Sequence, residues 1–307
     1  MKKPMSREEI RWALTGPSGS IRTPFNRDGS VDYRGLANVI EASLNGGSRT
    51  ALLTAGDSHF ACLTDQEIAE ITRFTVRHVK GRAMVVAADR YYDTNRAVAF
   101  ARFLRELGVD VYMVMPPDWG HSMTAATLAD HYAAIARHMP VMVVTNIFVP
   151  RGKAYGLEAL SLCLKRVKGI AAVKDDFCGE FGYRMTLLVR DHWAVFSGGL
   201  KQNHLDLWPY GCHGYLSSLI GFQPRITHEY WNAIQMRDID RARDVIERYE
   251  IPWFDVINVL PGGFDAGIHG MLEIYGIARR WRRKPYYSLT DAELDSLRAT
   301  LKKLKLL

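Results

Sequence analysis

The feature that most constrains the fold is a series of eight short apolar runs, which recur along the chain up to residue 218. The runs lack a regular alternation of polar and apolar residues, which is typical of parallel strands buried on both faces. Segments with apolar residues at helical spacing separate them, for example residues 63–79 and 94–108. This order predicts an α/β fold, a (β/α)8 TIM barrel. The predicted strands are residues 18–25, 50–55, 83–88, 110–115, 140–145, 170–174, 194–197 and 214–218.

The character of the sequence changes after residue 225, where the strand-like runs stop and helical patterns dominate. We therefore predict a barrel over residues 1–225 and a C-terminal helical region over residues 226–307 that packs on it. Two helix starts carry a capping-box pattern, at SREE (residues 6–9) and at TDQE (residues 64–67).

Composition excludes several classes of protein. Hydrophobic residues make up 48% of the chain, which is enough for a large core and too much for a disordered protein. The four cysteines form no CxxC pair, a pattern typical of reduced thiols in a cytoplasmic protein. The N-terminus lacks the apolar segment of a secretory leader, and no run approaches the ~18–20 residues of a membrane helix. We therefore expect a cytoplasmic protein without a membrane partner.

The net charge of +7 raises the question of nucleic-acid binding. The basic residues are spread along the chain, and their densest cluster, residues 278–284, lies beside the C-terminal helices. A solvated basic face explains such a distribution better than a nucleic-acid site does, so we expect no nucleic-acid partner.

Lys174 is the strongest single signal for function. In barrels of this kind the active site lies at the C-terminal ends of the strands, and Lys174 ends the apolar run 170–174. An amine at the barrel mouth is partly removed from water, and burial of this kind lowers the pKa of a lysine. Such an amine can attack a carbonyl group and form a Schiff base. The alternative is a structural lysine paired with Asp175 or Asp176.

Four stretches carry a resemblance to a known family. They are TPF followed by DGSVD within residues 23–32, GIAAVKDD at 169–176, SGG at 197–199 and GCHGYLSS at 211–218. With them, the chain resembles the dihydrodipicolinate synthase / N-acetylneuraminate lyase family, the class I Schiff-base lyases on a TIM barrel. The resemblance covers roughly residues 15–300.

The resemblance implies a specific chemistry. Lys174 is then the imine-forming lysine, and the substrate is a 2-oxo acid such as pyruvate or a keto-deoxy sugar acid. The reaction is aldol cleavage, condensation or dehydration, which all begin from the same imine, and no cofactor is implied. The family also implies a homotetramer or homodimer.

The chain departs from the family pattern at three strand ends. The family typically has GTTGE after the second strand, where this chain has AGDSH at residues 55–59. The catalytic tyrosine after the fifth strand falls at Val144 or Thr145, and the paired tyrosines after the fourth strand are replaced within residues 116–119. The groups that handle protons in the family are therefore missing.

Other strand-end residues are candidates to replace those groups. Histidine ordinarily titrates near neutral pH, so His59 is our predicted acid/base. Thr145, one of the two residues at the position of the family's tyrosine, is a further catalytic candidate. The Asp57–Ser58 turn can hold the substrate carboxylate with backbone amides, and Arg90 or Arg151 can bind it with two parallel hydrogen bonds. The predicted substrate-binding residues are Asp57, Ser58, Asp118, Asn146, Arg151, Gly199 and Ser217.

Two other functions remain open at this point. A non-catalytic descendant of the family would bind a small carboxylate without forming an imine. A metal-dependent enzyme would use carboxylate and imidazole ligands at neighbouring strand ends. The residues for that metal site would be Asp57, His59, Asp89, Asp118 and His121.

Overall fold

The computed structural model describes residues 3–307, which form a closed barrel of eight parallel strands. Each strand pairs with the next along the chain, and β1 pairs with β8 to close the sheet, with Gly16 opposite Gly214. The fold prediction is therefore confirmed. The strands are β1 Gly16–Ser20, β2 Thr50–Leu52, β3 Met84–Ala88, β4 Val111–Met113, β5 Val141–Val144, β6 Ile170–Asp175, β7 Ala194–Ser197 and β8 Gly214–Leu216.

Helices surround the barrel and continue past its last strand. The helices α1–α8 are, in order, Arg7–Leu14, Tyr33–Asn45, Asp65–Val79, Thr94–Leu107, Ala125–Ala136, Lys153–Arg166, Gly179–Val189 and Lys201–Leu207. The helices α9–α13 are Pro224–Gln235, Ile239–Val245, Ile251–Ile257, Gly263–Ile274 and Asp291–Lys303. A single π-helical turn, Ile246–Glu250, joins α10 to α11.

The predicted helix starts are confirmed in detail. The Ser6 side chain accepts a hydrogen bond from the backbone N–H of Glu9, whose carboxylate accepts from the backbone N–H of Ser6. Thr64 and Glu67 make the same reciprocal pair at the start of α3. Each pair satisfies two backbone N–H groups that a helix end leaves without partners.

The first strand differs from its prediction. The apolar pattern predicts a strand over residues 18–25, but β1 ends at Ser20. Ile21 and Phe25 are fully buried although they lie beyond the strand, so they continue the apolar pattern into the loop. This shift moves Arg22 from the interior of a strand to the mouth of the barrel.

The helices after residue 224 build a second hydrophobic core against the barrel. Tyr230 of α9 packs edge-on against Tyr215 of β8, with the ring centres 5.1 Å apart. Trp253 of α11 is fully buried in the same core and donates its indole N–H to the sulfur of Met271. This packing brings α11 and α12 over one side of the barrel mouth. Within residues 3–307, no helix is long and apolar enough to cross a membrane.

Candidate active site

Lys174 lies at the carboxyl end of β6, and its amine meets a carboxylate. The residue is 7% exposed, and its Nζ donates hydrogen bonds to both carboxylate oxygens of Asp176, at 2.5 and 2.6 Å. Successive side chains of an extended backbone point to opposite sides, so Lys174 and Asp176 share a side that Asp175 does not. The sequence left both acids open as partners, and the structure selects Asp176.

Asp175 and Thr145 hold the turn that follows β6. The Thr145 hydroxyl donates to a carboxylate oxygen of Asp175 at 2.8 Å and accepts from the backbone N–H groups of Asp176 and Phe177, at 2.8 and 3.0 Å. Burial raises the pKa of Asp175 above its ordinary value, against those hydrogen bonds. All hydrogen-bonding capacity of the Thr145 hydroxyl is therefore used in fixing the backbone at Asp176, next to Lys174.

A cavity of about 220 Å³ opens beside this ion pair. Barrel loops supply one wall and the C-terminal helices supply the other. Its lining residues are Arg22, Asp57, Gly198, Gly199, Leu200, Leu216, Ser218, Glu250, Trp253, Phe254, Asn258 and Phe264.

Gly198 links the cavity to the ion pair. A Cβ atom added at Gly198 would lie 2.8 Å from Cε of Lys174, and closer still to Nζ and to a carboxylate oxygen of Asp176. Real Cβ contacts are almost never shorter than 3.0 Å. Only glycine at this position leaves room for the Lys174–Asp176 pair beside the cavity.

Arg22 and Asp57 form a loose ion pair in the cavity wall. The guanidinium Nη2 lies 3.6 Å from Oδ1 of Asp57, and Nη1 donates to the Ser20 hydroxyl at 2.9 Å. Burial alone would raise the pKa of Asp57, but the charge of Arg22 and a hydrogen bond from Ser20 outweigh it, so this pKa lies below its ordinary value. Asp57 is therefore an anion at the cavity surface.

Sequence reasoning missed Arg22, because the predicted strand 18–25 placed it inside the barrel wall. The signal that could have found it is the Thr23–Pro24 pair. Proline has no backbone N–H for a strand ladder, so the pair indicates that the strand ends before it.

His59 is buried away from the cavity lining. Its Nε2 lies 2.8 Å from Nε2 of His269 on α12, and its ring packs against Phe25 and Tyr286. Burial, aided by the charges of Arg282 and Arg22, lowers the pKa of His59 to about 3. A neutral imidazole in this position links the loop after β2 to the C-terminal helices.

Ser58 fastens the same loop to the end of β1. Its hydroxyl donates to the carbonyl of Ile21 at 2.5 Å and accepts from the backbone N–H of Thr54 at 3.0 Å. Its own carbonyl accepts from the Thr23 hydroxyl at 2.7 Å. Ser58 is fully buried, so the structure brings Asp57 but not the Ser58 side chain to the cavity.

Two predicted binding residues lie at the ends of β7 and β8. Gly199 lines the cavity. Ser217 is buried, and its hydroxyl shares a hydrogen bond of 2.9 Å with the hydroxyl of Thr227 on α9. Its neighbour Ser218 lines the cavity instead.

A second lysine lies in the barrel mouth. Lys201 is 1% exposed, and its Nζ donates to Glu250 at 2.8 Å, while its backbone N–H donates to the other oxygen of that carboxylate at 2.7 Å. Glu250 ends the π-helical turn and faces the cavity. This buried pair fastens the C-terminal helices to the end of the barrel.

The remaining predicted residues lie in a different groove. Asp118 and Asn146 line an open groove of about 390 Å³ with the exposed Trp119. Arg151 donates to Asp118 at 2.5 Å and to the carbonyl of Met123 at 2.9 Å. Its guanidinium also lies over the ring of Tyr155, 3.7 Å from the centre. Arg151 is thus engaged by the protein's own groups.

The side chains of the hypothetical metal site are not brought together. Asp118 pairs with Arg151, and the buried Asp89 accepts a hydrogen bond from the Tyr112 hydroxyl. His59 faces His269. Within residues 3–307, no group of three or more histidine, cysteine, aspartate or glutamate side chains has an arrangement that suits a metal ion.

Comparisons with known proteins agree with this architecture. The sequence model of the Dihydrodipicolinate synthetase family matches residues 13–304. A 4-hydroxy-tetrahydrodipicolinate synthase of Polynucleobacter asymbioticus is 27% identical over 308 residues, which cover 96% of each chain. The enzyme of the same name from Psychrobacter arcticus is 26% identical over 273 residues, covering 87% of this chain and 89% of that protein.

Solved structures share the fold at lower identity. Dihydrodipicolinate synthase of Bacteroides thetaiotaomicron superposes with a TM-score of 0.83 at 17% identity, covering 94% of this chain and 98% of that one. N-acetylneuraminate lyase of Fusobacterium nucleatum, solved as a complex with pyruvate, superposes with a TM-score of 0.81 at 17% identity, covering 95% and 97%. Since the family match spans nearly the whole sequence, this chain belongs to the dihydrodipicolinate synthetase family.

Proposed function

We propose that this protein is a Schiff-base-forming lyase that acts on a 2-oxo acid through Lys174. The observation that carries the proposal is the contact of the Lys174 amine with Asp176, next to a cavity at the barrel mouth. An amine can attack a carbonyl only after it loses a proton. Asp176 touches that amine with both oxygens and is the group that accepts the proton.

The reaction begins with proton transfer from Nζ of Lys174 to Asp176. The neutral amine attacks the carbonyl carbon of the substrate, and the proton returns to the carbonyl oxygen, which gives a carbinolamine. Asp176 carries a second proton from the nitrogen to the hydroxyl group, and loss of water leaves a protonated imine. This cation withdraws electrons from the adjacent carbon. The bond from that carbon to the next carbon can then break, or that carbon can lose a proton and the hydroxyl group on the next carbon can leave. Aldol cleavage and dehydration both follow from this intermediate.

We assign the acid/base role to Asp176 in place of His59. A general acid/base must lie within hydrogen-bonding reach of the atom whose proton it moves. Asp176 meets this requirement at Nζ, whereas the ring nitrogen of His59 is engaged by His269. The lowered pKa of His59, about 3, also leaves this imidazole neutral at ordinary pH. Thr145 acts as a positioning residue through its hydrogen bonds to the turn after β6.

The cavity supports a small substrate. Its volume of about 220 Å³ lies below the ~300–1,000 Å³ of typical drug-sized sites. Pyruvate, with which the Fusobacterium nucleatum lyase was solved, is the first 2-oxo acid to test. We further propose that the chain works in the cytoplasm as a homodimer or homotetramer, with the groove around Trp119 as the contact surface.

Borohydride trapping tests the proposal. The protein is incubated with pyruvate or a longer 2-oxo acid, reduced, digested and mapped by mass spectrometry. We expect an adduct on Lys174, and none in Lys174→Met. Lys153→Met removes an exposed lysine and is the matched control that should keep the adduct. A folded wild-type protein that gives no adduct with any 2-oxo acid contradicts the proposal.

The same ion pair also favours a second candidate, a family member that binds a small carboxylate without chemistry. Both oxygens of Asp176 hold the Lys174 amine, and a permanent ion pair of this kind would keep the amine from reacting. Calorimetric binding of pyruvate without any reducible adduct would identify this candidate.

A further inference from the structure

Arg22 has an unused hydrogen-bonding edge beside the candidate active site. The residue is 4% exposed, and its Nε and Nη2 have no hydrogen-bond partner. These two nitrogens form one edge of the guanidinium plane, because Nη2 is on the same side of the group as the Nε hydrogen. The third nitrogen, Nη1, is occupied by Ser20.

An unused edge of this kind is costly, which suggests that it has a ligand. A buried donor without a partner destabilises the protein because it has lost its hydrogen bonds to water, and a charged donor does so more strongly. Two parallel N–H groups match the two oxygens of a carboxylate, the geometry that arginine uses for such ions. The chemistry of the edge therefore fits a carboxylate.

Asp57 is the nearest anion, but it is not a full partner. Its Oδ1 lies 3.6 Å from Nη2, too far for a hydrogen bond. Both side chains line the cavity, and that of Asp57 is the more exposed, at 25% against 5% for Arg22. Asp57 balances the charge of Arg22 but leaves its Nε and Nη2 without a hydrogen bond.

The site also lies within reach of the reacting amine. Arg22 and Asp57 line the same cavity as Gly198, which touches the Lys174–Asp176 pair. Burial raises the pKa of Asp57, and the charge of Arg22, a hydrogen bond from Ser20 and then the charge of Lys174 lower it. A 2-oxo acid joined to Lys174 carries its carboxylate on the carbon next to the imine, so the carboxylate must lie close to this wall.

We propose that Arg22 binds the carboxylate of the substrate and that Asp57 is an internal anion which this carboxylate displaces from Arg22. The inference rests on the proposed 2-oxo acid chemistry. The sequence suggested that the Asp57–Ser58 turn or Arg151 holds the substrate carboxylate. The inference assigns this role to a side chain that follows β1. Arg22 thus selects carbonyl compounds that carry an adjacent carboxylate over uncharged ones.

Trapping of a charged and an uncharged ligand tests this assignment. Pyruvate and hydroxyacetone, a ketone without a carboxylate, are each titrated against borohydride adduct formation on Lys174. We expect Arg22→Met to raise the half-saturating concentration of pyruvate by 10- to 100-fold and to leave that of hydroxyacetone within about threefold of wild type. Arg22→Lys, which keeps the charge but loses the fork, should fall between. Asp57→Asn should lower the half-saturating concentration of pyruvate, because it removes the competing anion.

The outcomes separate the two proposals. If the wild type gives no adduct with either ketone, the proposed function fails. If the wild type gives adducts, and Arg22→Met changes the half-saturating concentrations of both ketones equally or of neither, only the assignment of Arg22 is overturned. Weaker pyruvate binding in Asp57→Asn would also overturn it, since Asp57 would then support binding and not compete with the substrate carboxylate. The double variant Arg22→Met/Asp57→Asn removes both charges and serves if Arg22→Met does not fold.

Discussion

Substitution of Gly198 by alanine should disable Lys174 while leaving the fold intact. The new methyl group would lie 2.8 Å from Cε of Lys174 and closer to Nζ and to Asp176, so both side chains must move. Their ends are flexible, and the backbone at Gly198 is not in the left-handed region. Overpacking of this kind costs about 1–3 kcal/mol of stability.

The expected loss of reactivity is larger than the loss of stability. A displacement of about 1 Å at a reacting group lowers a rate by roughly 10²-fold, which corresponds to about 2.7 kcal/mol of barrier. Gly198→Ala should therefore form the pyruvate adduct about 100 times more slowly than wild type. Intact-protein mass spectrometry after quenching with borohydride at successive times measures this rate.

Gly199→Ala is the matched control. A Cβ atom at Gly199 would meet Cβ of Asn203 at 3.3 Å, and no neighbour of this atom is closer. This variant should keep the adduct rate within a few-fold of wild type. An adduct on Lys174 that forms at the wild-type rate in Gly198→Ala would refute the reasoning, because the amine would not need the space that this glycine leaves.

Three further outcomes are expected. Thr145→Val removes one hydrogen bond to the Asp175 carboxylate and leaves the backbone N–H of Asp176 without a partner, so denaturant unfolding should show a loss of about 1–3 kcal/mol. Unchanged stability would contradict this role. Burial raises the pKa of Asp89 to about 7, so its carboxyl ionises in the folded protein between pH 5 and 8. Over this range the free energy of unfolding of the wild type should fall by roughly 3 kcal/mol, whereas that of Asp89→Asn should not fall in this way. The same pH dependence of stability in both proteins would argue against it. Light scattering should give a dimer or tetramer that Trp119→Ser weakens, and a monomeric wild type would remove the proposed contact surface.

The barrel could be predicted because its signal is local. Each strand is a short run of buried residues, and seven of the eight predicted runs contain the observed strand or overlap it closely. The C-terminal end of the first predicted strand is wrong, since the buried Ile21 and Phe25 extend the apolar pattern beyond Ser20. Burial, which a sequence pattern reports, is not the same as pairing in a sheet.

The candidate site was only partly predictable, because most of its contacts join distant parts of the chain. Lys174 could be found from its place at a strand end. The hydrogen-bond partner of His59 is 210 residues away in the sequence, and the local sequence does not predict it. Asp176 could have been chosen over Asp175 from the two-residue repeat of an extended chain. Arg22 could not be found while its strand was drawn too long.

The cavity has two walls of different origin, and this matters for protein engineering. The reacting pair, Lys174 and Asp176, comes from the barrel, whereas Trp253, Phe254 and Phe264 come from the C-terminal helices. A library confined to those helical positions would vary what the cavity accepts without touching the amine that attacks the carbonyl. Ligand preference in this chain can therefore be diversified independently of its chemistry.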